Sequence, residues 1–355
     1  MTKTDGKGVE LHLCNNPRHL FFALADALGR DVRAVVVYLE DDVPLDAAMK
    51  SRLAVFERRI RVLFSTDAAE IAHFSGFPAY FPGILRRNLR PSGTRATGWK
   101  LPMLGGRHFT TGYIYHPGFF TSKPIRASCD YLVMREAGLN NYVTHPVSGL
   151  KAVTRALCGL SWRGQTWGEE PWVDAIEVTN PDRLPERVRV KARQHGFTEV
   201  YESLKPDQVC RLAAVFLPNP PVIDTQNGPA ALILTQPLDK IGLSSETEKR
   251  QIYTHIAIHL KKQGYQVYVK HHPTDTSFAL EDAKTVQASF PIELWPALHL
   301  PRFDLAVALC SASLVEGEFL LAERVEQLML PDAFTAAGCK ALMQDWPSAL
   351  KNLSL

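Results

Sequence analysis

Short apolar runs alternate along this chain with longer amphipathic ones. Residues 9–14 (VELHLC), 34–39 (AVVVYL), 60–64 and 131–134 (YLVM) read as buried strands, and residues 18–28 carry helical periodicity after an Asn-Asn-Pro entry. A second series begins at 230–234 (AALIL). It continues with a long helix over 245–263 closed by Gly264, then strands at 266–270 and 303–309 (FDLAVAL). Residues 150–158, 185–195 and 314–325 are predicted as further helices, the last apart from Gly317, and the tail from Pro331 is amphipathic and helical. Strands alternating with helices imply parallel sheets with right-handed crossovers, an α/β fold.

Where the two series part, residues 216–229 (FLPNPPVIDTQNGP) hold four prolines and a glycine, the best linker in the chain. The expected organisation is a first domain over 1–215, a linker over 216–229, a second domain over 230–330 and a helical tail over 331–355 that can pack back on the first domain. Residues 82–123, rich in Arg, Gly, Pro and aromatics, read either as a mobile basic surface or as a long connection with some β-structure.

With 355 residues and 46% apolar content, two real cores are affordable, and a net charge of +3 gives no case for nucleic acid as the main partner. The six cysteines are scattered, without a CxxC pair or a preceding secretory signal, which suggests reduced thiols in a cytoplasmic protein and no zinc site. No apolar run reaches the roughly 18 residues of a spanning helix. The acidic cluster Glu40-Asp41-Asp42 runs into a helix-entry pattern and reads as a solvated cap rather than a metal motif. His255 and His259 share a helix face, but no glutamate makes them an HExxH.

Candidate chemistry gathers at strand ends. Lys270-His271-His272-Pro273 closes one strand, because the proline ends the ladder. Glu293 lies in a Phe-Pro-Ile-Glu element, and Ser311 and Ser313 sit in the turn after the next strand, where hydroxyls and backbone N–H groups can hold a phosphate. Open α/β sheets bind ligands at the carboxyl ends of their strands. An imidazole, a carboxylate and a hydroxyl pair there suit a nucleotide sugar, with ribose on the carboxylate and phosphate on the others. Each signal alone has a plain structural reading: His-Pro also occurs at His116 and His145, and Ser-Ala-Ser is commonly an N-cap. Glu136, directly after a strand and before a glycine, equally suits a turn facing an inter-domain crevice or a partner for Arg135.

Taken in order, these motifs resemble the bacterial GT-B sialyltransferases, the lipooligosaccharide and capsular polysialyltransferase types. The likeness runs through Cys14-Asn15-Asn16-Pro17, Glu136-Ala137-Gly138, Thr235-Gln236-Pro237, His272-Pro273, Pro291-Ile292-Glu293 and Ser311-Ala312-Ser313. The resemblance implies two Rossmann-like domains with parallel sheets facing an inter-domain cleft, the first binding acceptor and the second CMP-sugar. It implies an inverting, metal-independent transfer of sialic acid from CMP-sialic acid to a hydroxyl of a surface glycan, with no cofactor. Glu136 would be the base and His272, as imidazolium, the acid. Glu293 would hold the ribose and Ser311 and Ser313 the phosphate, with Lys270, Pro273, Thr235 and Gln236 on the donor side and Asn15, Asn16 and Gly138 along the acceptor side or cleft. Peripheral contact with the cytoplasmic face of the inner membrane and a homodimer are compatible with it. Ala137 stands where the motif usually has a second acidic residue, and Ala312 splits the hydroxyl pair. Transfer of another CMP-ulosonic acid (Kdo, legionaminic acid), a nucleotide-sugar epimerase or hydrolase, and a non-catalytic binding protein are the alternatives.

Overall fold

A computed structural model describes residues 8–73, 101–147, 149–157, 161–223, 228–275, 278–281, 283–286, 290–295, 300–315, 321–330 and 332–353. The chain divides into two compact units, Met1–Val215 and Phe216–Leu355.

The first unit is built on a seven-stranded parallel sheet. Its strands are β1 (Glu10–Cys14), β2 (Ala34–Leu39), β3 (Ile60–Ser65), β4 (Phe109–Ile114), β5 (Cys129–Arg135), β8 (Ala175–Val178) and β9 (Ala192–Gln194), in the order β3-β2-β1-β4-β5-β8-β9. A two-stranded antiparallel ribbon, β6 (Thr144–Pro146) and β7 (Gly164–Thr166), stands apart from it. The apolar alternation of β1 and β2 buries every residue of both strands, as the unbroken runs require of strands covered on two faces. The second unit repeats the scheme with β10 (Ala230–Leu234), β11 (Gln266–Lys270), β12 (Ala283–Val286), β13 (Phe303–Ala308) and β14 (Ala322–Gln327), all parallel, in the order β12-β11-β10-β13-β14. Counted from each unit's first strand, both sheets run 3-2-1-4-5 and reverse direction of winding beside that strand, so both are Rossmann-like.

Two elements depart from the sequence pattern. Residues 185–195 form one helical turn, Glu186–Arg189, and then β9 instead of a single helix. The edge of β8 decides this: Ile176 N–H donates to Lys191 O at 2.9 Å and His195 N–H to Val178 O at 3.0 Å. Residues 314–325 likewise end in a strand. Among the described residues of this stretch Ala312–Val315 is helical, and Ala322–Gln327 pairs with β13, with Glu323 and Val325 exposed on this charged edge. Ladder bonds to β13 override the local helical preference of Leu, Ala and Glu. Residues 316–320, including Gly317, lie outside the described residues, as do 82–100 and Cys158. The basic, glycine-rich region contributes β4, a central strand with Gly112 packed on Cys129, Leu132 and Ile125, where a Cβ would meet atoms at 2.8–3.1 Å.

The tail helices Ala336–Gln344 and Trp346–Leu350 belong to the core of the second unit, where Cys339, Leu342, Leu350 and Leu353 join Ile233, Val269 and Val307. Trp346 stacks on His255 with centroids 4.7 Å apart. Among the described residues no helix is long and apolar enough to cross a membrane.

The first unit also buries a network of charge. Arg135, 2% exposed at the end of β5, donates to Asp26 Oδ2 at 2.5 Å and to Glu177 Oε2 at 3.0 Å and lies 3.9 Å over the Tyr113 ring. Asp26 is also held by Arg30, which forks onto Glu10 at 2.6 Å on both oxygens. Burial would raise the Asp26 carboxyl, but Arg135 and its other donors hold it well below the usual carboxylate range. Arg135→Met is expected to lower unfolding free energy by about 3–5 kcal/mol in urea titrations, since it strands buried carboxylates; a loss under about 1 kcal/mol would show the network to be dispensable.

Candidate functional site

The order of the second sheet places its switch point between β10 and β13. The residues that follow these strands, with those that follow β11, emerge at one edge of the sheet. Thr235 and Gln236 leave β10, His271 and His272 leave β11, and the Cys310–Ser313 turn follows β13. The expected donor-side residues fall into three local groups here.

The first group is the His-Pro turn. Thr235, 4% exposed, receives the His272 N–H on its hydroxyl oxygen at 3.1 Å, and its own N–H donates to Lys270 O at 3.1 Å. Asp275 N–H donates to His272 O at 2.8 Å and closes the turn over Pro273. Asp275 accepts from Lys249 Nζ at 2.6 Å, and Lys249 also reaches Asp239 at 2.8 Å. The two histidines separate: His271 turns into the core against Phe278, while His272 stays half-buried at the edge. At His272 Nδ1 the Thr274 N–H arrives at 3.2 Å and the Thr274 hydroxyl at 2.7 Å. A backbone N–H can only donate, so Nδ1 is an acceptor and the ring proton resides on Nε2. Burial and, next, the Lys270 charge push this imidazole down to about 4. Both causes favour the neutral ring over the imidazolium at pH 7.

The second group is Lys270, Glu293 and Ser313. Both Lys270 and Glu293 are buried, and the Ser313 hydroxyl donates to Glu293 Oε1 at 3.1 Å. Burial pushes the Lys270 ammonium down to about 8, with the Glu293 carboxylate opposing the fall. Lys270 lies 5.0 Å over the Phe290 ring. It remains largely charged at neutral pH, a cation beside Glu293 where His272 favours the neutral form. The third group joins Gln236 to Cys310 and Gln327 to Ser311 through side-chain amides.

In the first unit, Glu136 continues β5. Its N–H donates to Glu177 O at 2.9 Å, while Oε2 receives the Tyr142 hydroxyl at 2.8 Å and the Thr179 N–H at 2.7 Å. These donors fix the carboxylate's orientation at the strand end. Ala137 N–H goes to Asn141 Oδ1 at 2.9 Å, and Gly138 follows at φ 133°, a conformation that favours glycine, to start the turn Leu139–Tyr142. Asn16 caps the helix Pro17–Gly29, accepting from His19 N–H at 2.9 Å; Asn15 contacts His19 Nδ1 at 2.6 Å and donates to Asp42 at 3.1 Å. His19 is buried and stacks on Tyr115, with centroids 4.1 Å apart. Asn15, Asn16 and Gly138 thus shape their own strand ends.

Sequence reasoning missed Asp275, Lys249, Gln327 and Tyr142. Asp275 had a signal, since Pro-Thr-Asp after a strand is a turn pattern; Lys249 and Gln327 come from distant elements and had none. Among the described residues no group of three or more His, Cys, Asp or Glu is placed to hold a metal ion.

Each unit carries a Rossmann-like sheet, the first followed by an oriented carboxylate and the second by a buried lysine, an imidazole and hydroxyls. The chain belongs to the alpha-2,8-polysialyltransferase family, whose model matches residues 143–325, just over half of its length, and it is a sialyltransferase by that membership. The match contains His272, Glu293, Ser311 and Ser313 and begins shortly after Glu136. No curated protein matches the chain.

Thr235→Val, which keeps the shape and removes the hydroxyl, should cost about 1–3 kcal/mol in urea unfolding because it removes the acceptor of the partly buried His272 N–H, and Thr235→Ser should recover most of it. Equal stability of wild type and Thr235→Val would show that the turn is held without this hydroxyl.

Proposed function

We propose that the chain transfers sialic acid from CMP-sialic acid to a hydroxyl of a bacterial surface glycan, of lipooligosaccharide or capsule, with inversion and without a metal ion. The family description points to an acceptor that itself ends in sialic acid. The observation that carries the reading is the Lys270–His272–Glu293–Ser313 set at the carboxyl edge of the second sheet, inside the matched region.

In this reading the unit Phe216–Leu355 holds the CMP moiety. Glu293 accepts from ribose hydroxyls, and Ser311 and Ser313 donate to the phosphate. As the glycosidic C–O bond breaks, negative charge grows on the phosphate oxygen that leaves. His272 meets it as a neutral donor through Nε2–H, and Lys270 supplies the positive charge nearby. The unit Met1–Val215 holds the acceptor, and the Glu136 carboxylate takes the proton of the attacking hydroxyl. Ala137 leaves Glu136 as the carboxylate of this motif. Inversion is what a single displacement gives, the attacking hydroxyl entering opposite the leaving phosphate.

The test is CMP release from CMP-N-acetylneuraminic acid in EDTA, with and without lactose or an oligosialic acid acceptor. Acceptor-stimulated release is expected. Release without acceptor stimulation would identify a hydrolase, and no turnover with CMP still bound would turn attention to another CMP-ulosonic acid or to a binding protein. His272→Ala and Glu136→Gln should each lower kcat by about 100-fold or more, with CMP affinity little changed for Glu136→Gln; wild-type rates in either variant remove that residue from the mechanism.

The pH dependence separates the two cationic candidates. Lys270 carries its charge below about 8 and loses it above, so the dissociation constant for CMP should rise as pH increases through 8, a rise that Lys270→Met abolishes. His272, neutral above about 4, should contribute no titration to CMP binding between pH 6 and 8. A break near pH 6.5 that disappears in His272→Ala would restore the imidazolium.

A further inference from the structure

Gln236, expected on the donor side, and Gln327, which the sequence did not single out, converge on the turn that carries the serines. Gln236 follows β10 and reaches across the switch point: its Oε1 accepts from Cys310 N–H at 3.0 Å and its Nε2 donates to Cys310 O. Gln327, the last residue of β14, does the same to the next residue from the other side. Its Oε1 accepts from Ser311 N–H at 2.8 Å, and its Nε2 donates to Ser311 O at 2.6 Å. Each primary amide satisfies both backbone groups of one residue, as a neighbouring strand would.

Regular pairing gives out at this point. The last ladder contacts of β13 are Leu328 N–H to Ala308 O at 3.0 Å and Met329 N–H to Leu309 O at 2.9 Å. The next two peptides lie beyond the ladder, where the Leu314 N–H to Ser311 O bond at 3.2 Å begins the following helical turn and side chains supply the other contacts described. The glutamines extend the order of the sheet by two residues, one from each flanking strand. They also spend the N–H groups of Cys310 and Ser311, so those two do not face an anion, and what residues 311 and 313 offer is their hydroxyls. Ser313 stands two residues beyond the clamp, and its contact with Glu293 depends on where the turn is held.

We propose that Gln236 and Gln327 are positioning residues for the donor: by clamping the peptides of Cys310 and Ser311 they set the register of the Ser311 and Ser313 hydroxyls and, through Ser313, of Glu293. The inference rests on the reading of this turn as part of the CMP-binding site. Holding the turn in place beforehand removes an ordering cost from donor binding and leaves the acceptor untouched.

The experiment measures CMP binding by calorimetry and steady-state transfer for wild type, Gln236→Met, Gln327→Met and Gln327→Glu, with thermal unfolding followed in parallel. Each Met variant should weaken CMP binding and raise the donor KM by about 10-fold, with the acceptor KM unchanged, at a temperature where all variants remain folded. Gln327→Glu supplies a rescue that a purely structural role would not show. Its ionised carboxylate faces Ser311 O and cannot donate, whereas its protonated form repeats the glutamine's donor and acceptor. CMP affinity of Gln327→Glu relative to wild type should therefore recover as pH falls towards 5, and this variant carries the test should the Met variants fail to fold. Unchanged CMP affinity and donor KM in the variants, or a loss shared equally by donor and acceptor, would overturn the clamp while leaving the donor site standing. Failure of the wild type to bind CMP would overturn the donor reading and this inference with it.

Discussion

The parallel pairing of β10 with β13 is the constraint on which the second unit's chemistry depends. Its register, Leu234 opposite Ala308, brings Thr235 and Gln236 out of the sheet beside the Leu309–Ser313 turn. Parallel strands all finish at one edge, so β11, in register with β10 on the other side, delivers Lys270 and the two histidines to the same edge. Residues more than seventy positions apart in the chain, such as Gln236 and Cys310, thereby become hydrogen-bonding neighbours. A one-residue slip would turn each of these side chains to the opposite face.

Once there, the polar groups are organised by burial. Lys270 and Glu293 sit largely out of water, where an unpaired charge is costly, and their opposite signs make the arrangement tolerable while leaving the lysine easy to deprotonate. His272 loses its proton for the same reason and is then fixed by Thr274 as a donor through Nε2. In the proposed donor site these groups would supply one tunable charge and several neutral donors. Such a site can favour a phosphate that gains charge in the transition state, because its dipoles are set before reaction begins.

The first unit meets a similar burial problem differently. Arg135 spends its charge on Asp26 and Glu177 beneath the sheet, and the adjacent Glu136 is left to be oriented by Tyr142 and Thr179. Arg135, the last residue of β5, is thus committed to structure, while Glu136, directly after it, is held separately for the role proposed for it, as side chains that point to opposite faces at successive extended positions allow.

Apolar runs and their punctuation were enough to determine the strands at 10–14, 34–39, 230–234, 266–270 and 303–308, the long helix Glu246–Lys262 with its Ser245 cap, and the α/β class, because these rest on local periodicity and capping chemistry. That Lys270 ends a strand and that His272 and Ser313 lie in turns after strands was also legible, since proline and turn residues mark where ladders stop; Glu293 lies instead in the short helical turn Ile292–Leu294. Tertiary structure alone decided what was non-local. It made strands of 192–194 and 322–327 against their helical pattern, because an open sheet edge offers hydrogen bonds that no window of sequence contains. It chose His272 over His271 for the edge, set the ring tautomer through Thr274, and brought in Lys249 and Gln327, whose roles depend on partners 26 and 16 residues away. Periodicity reports which face of an element is buried; only the packed sheet determines which distant group lies against it.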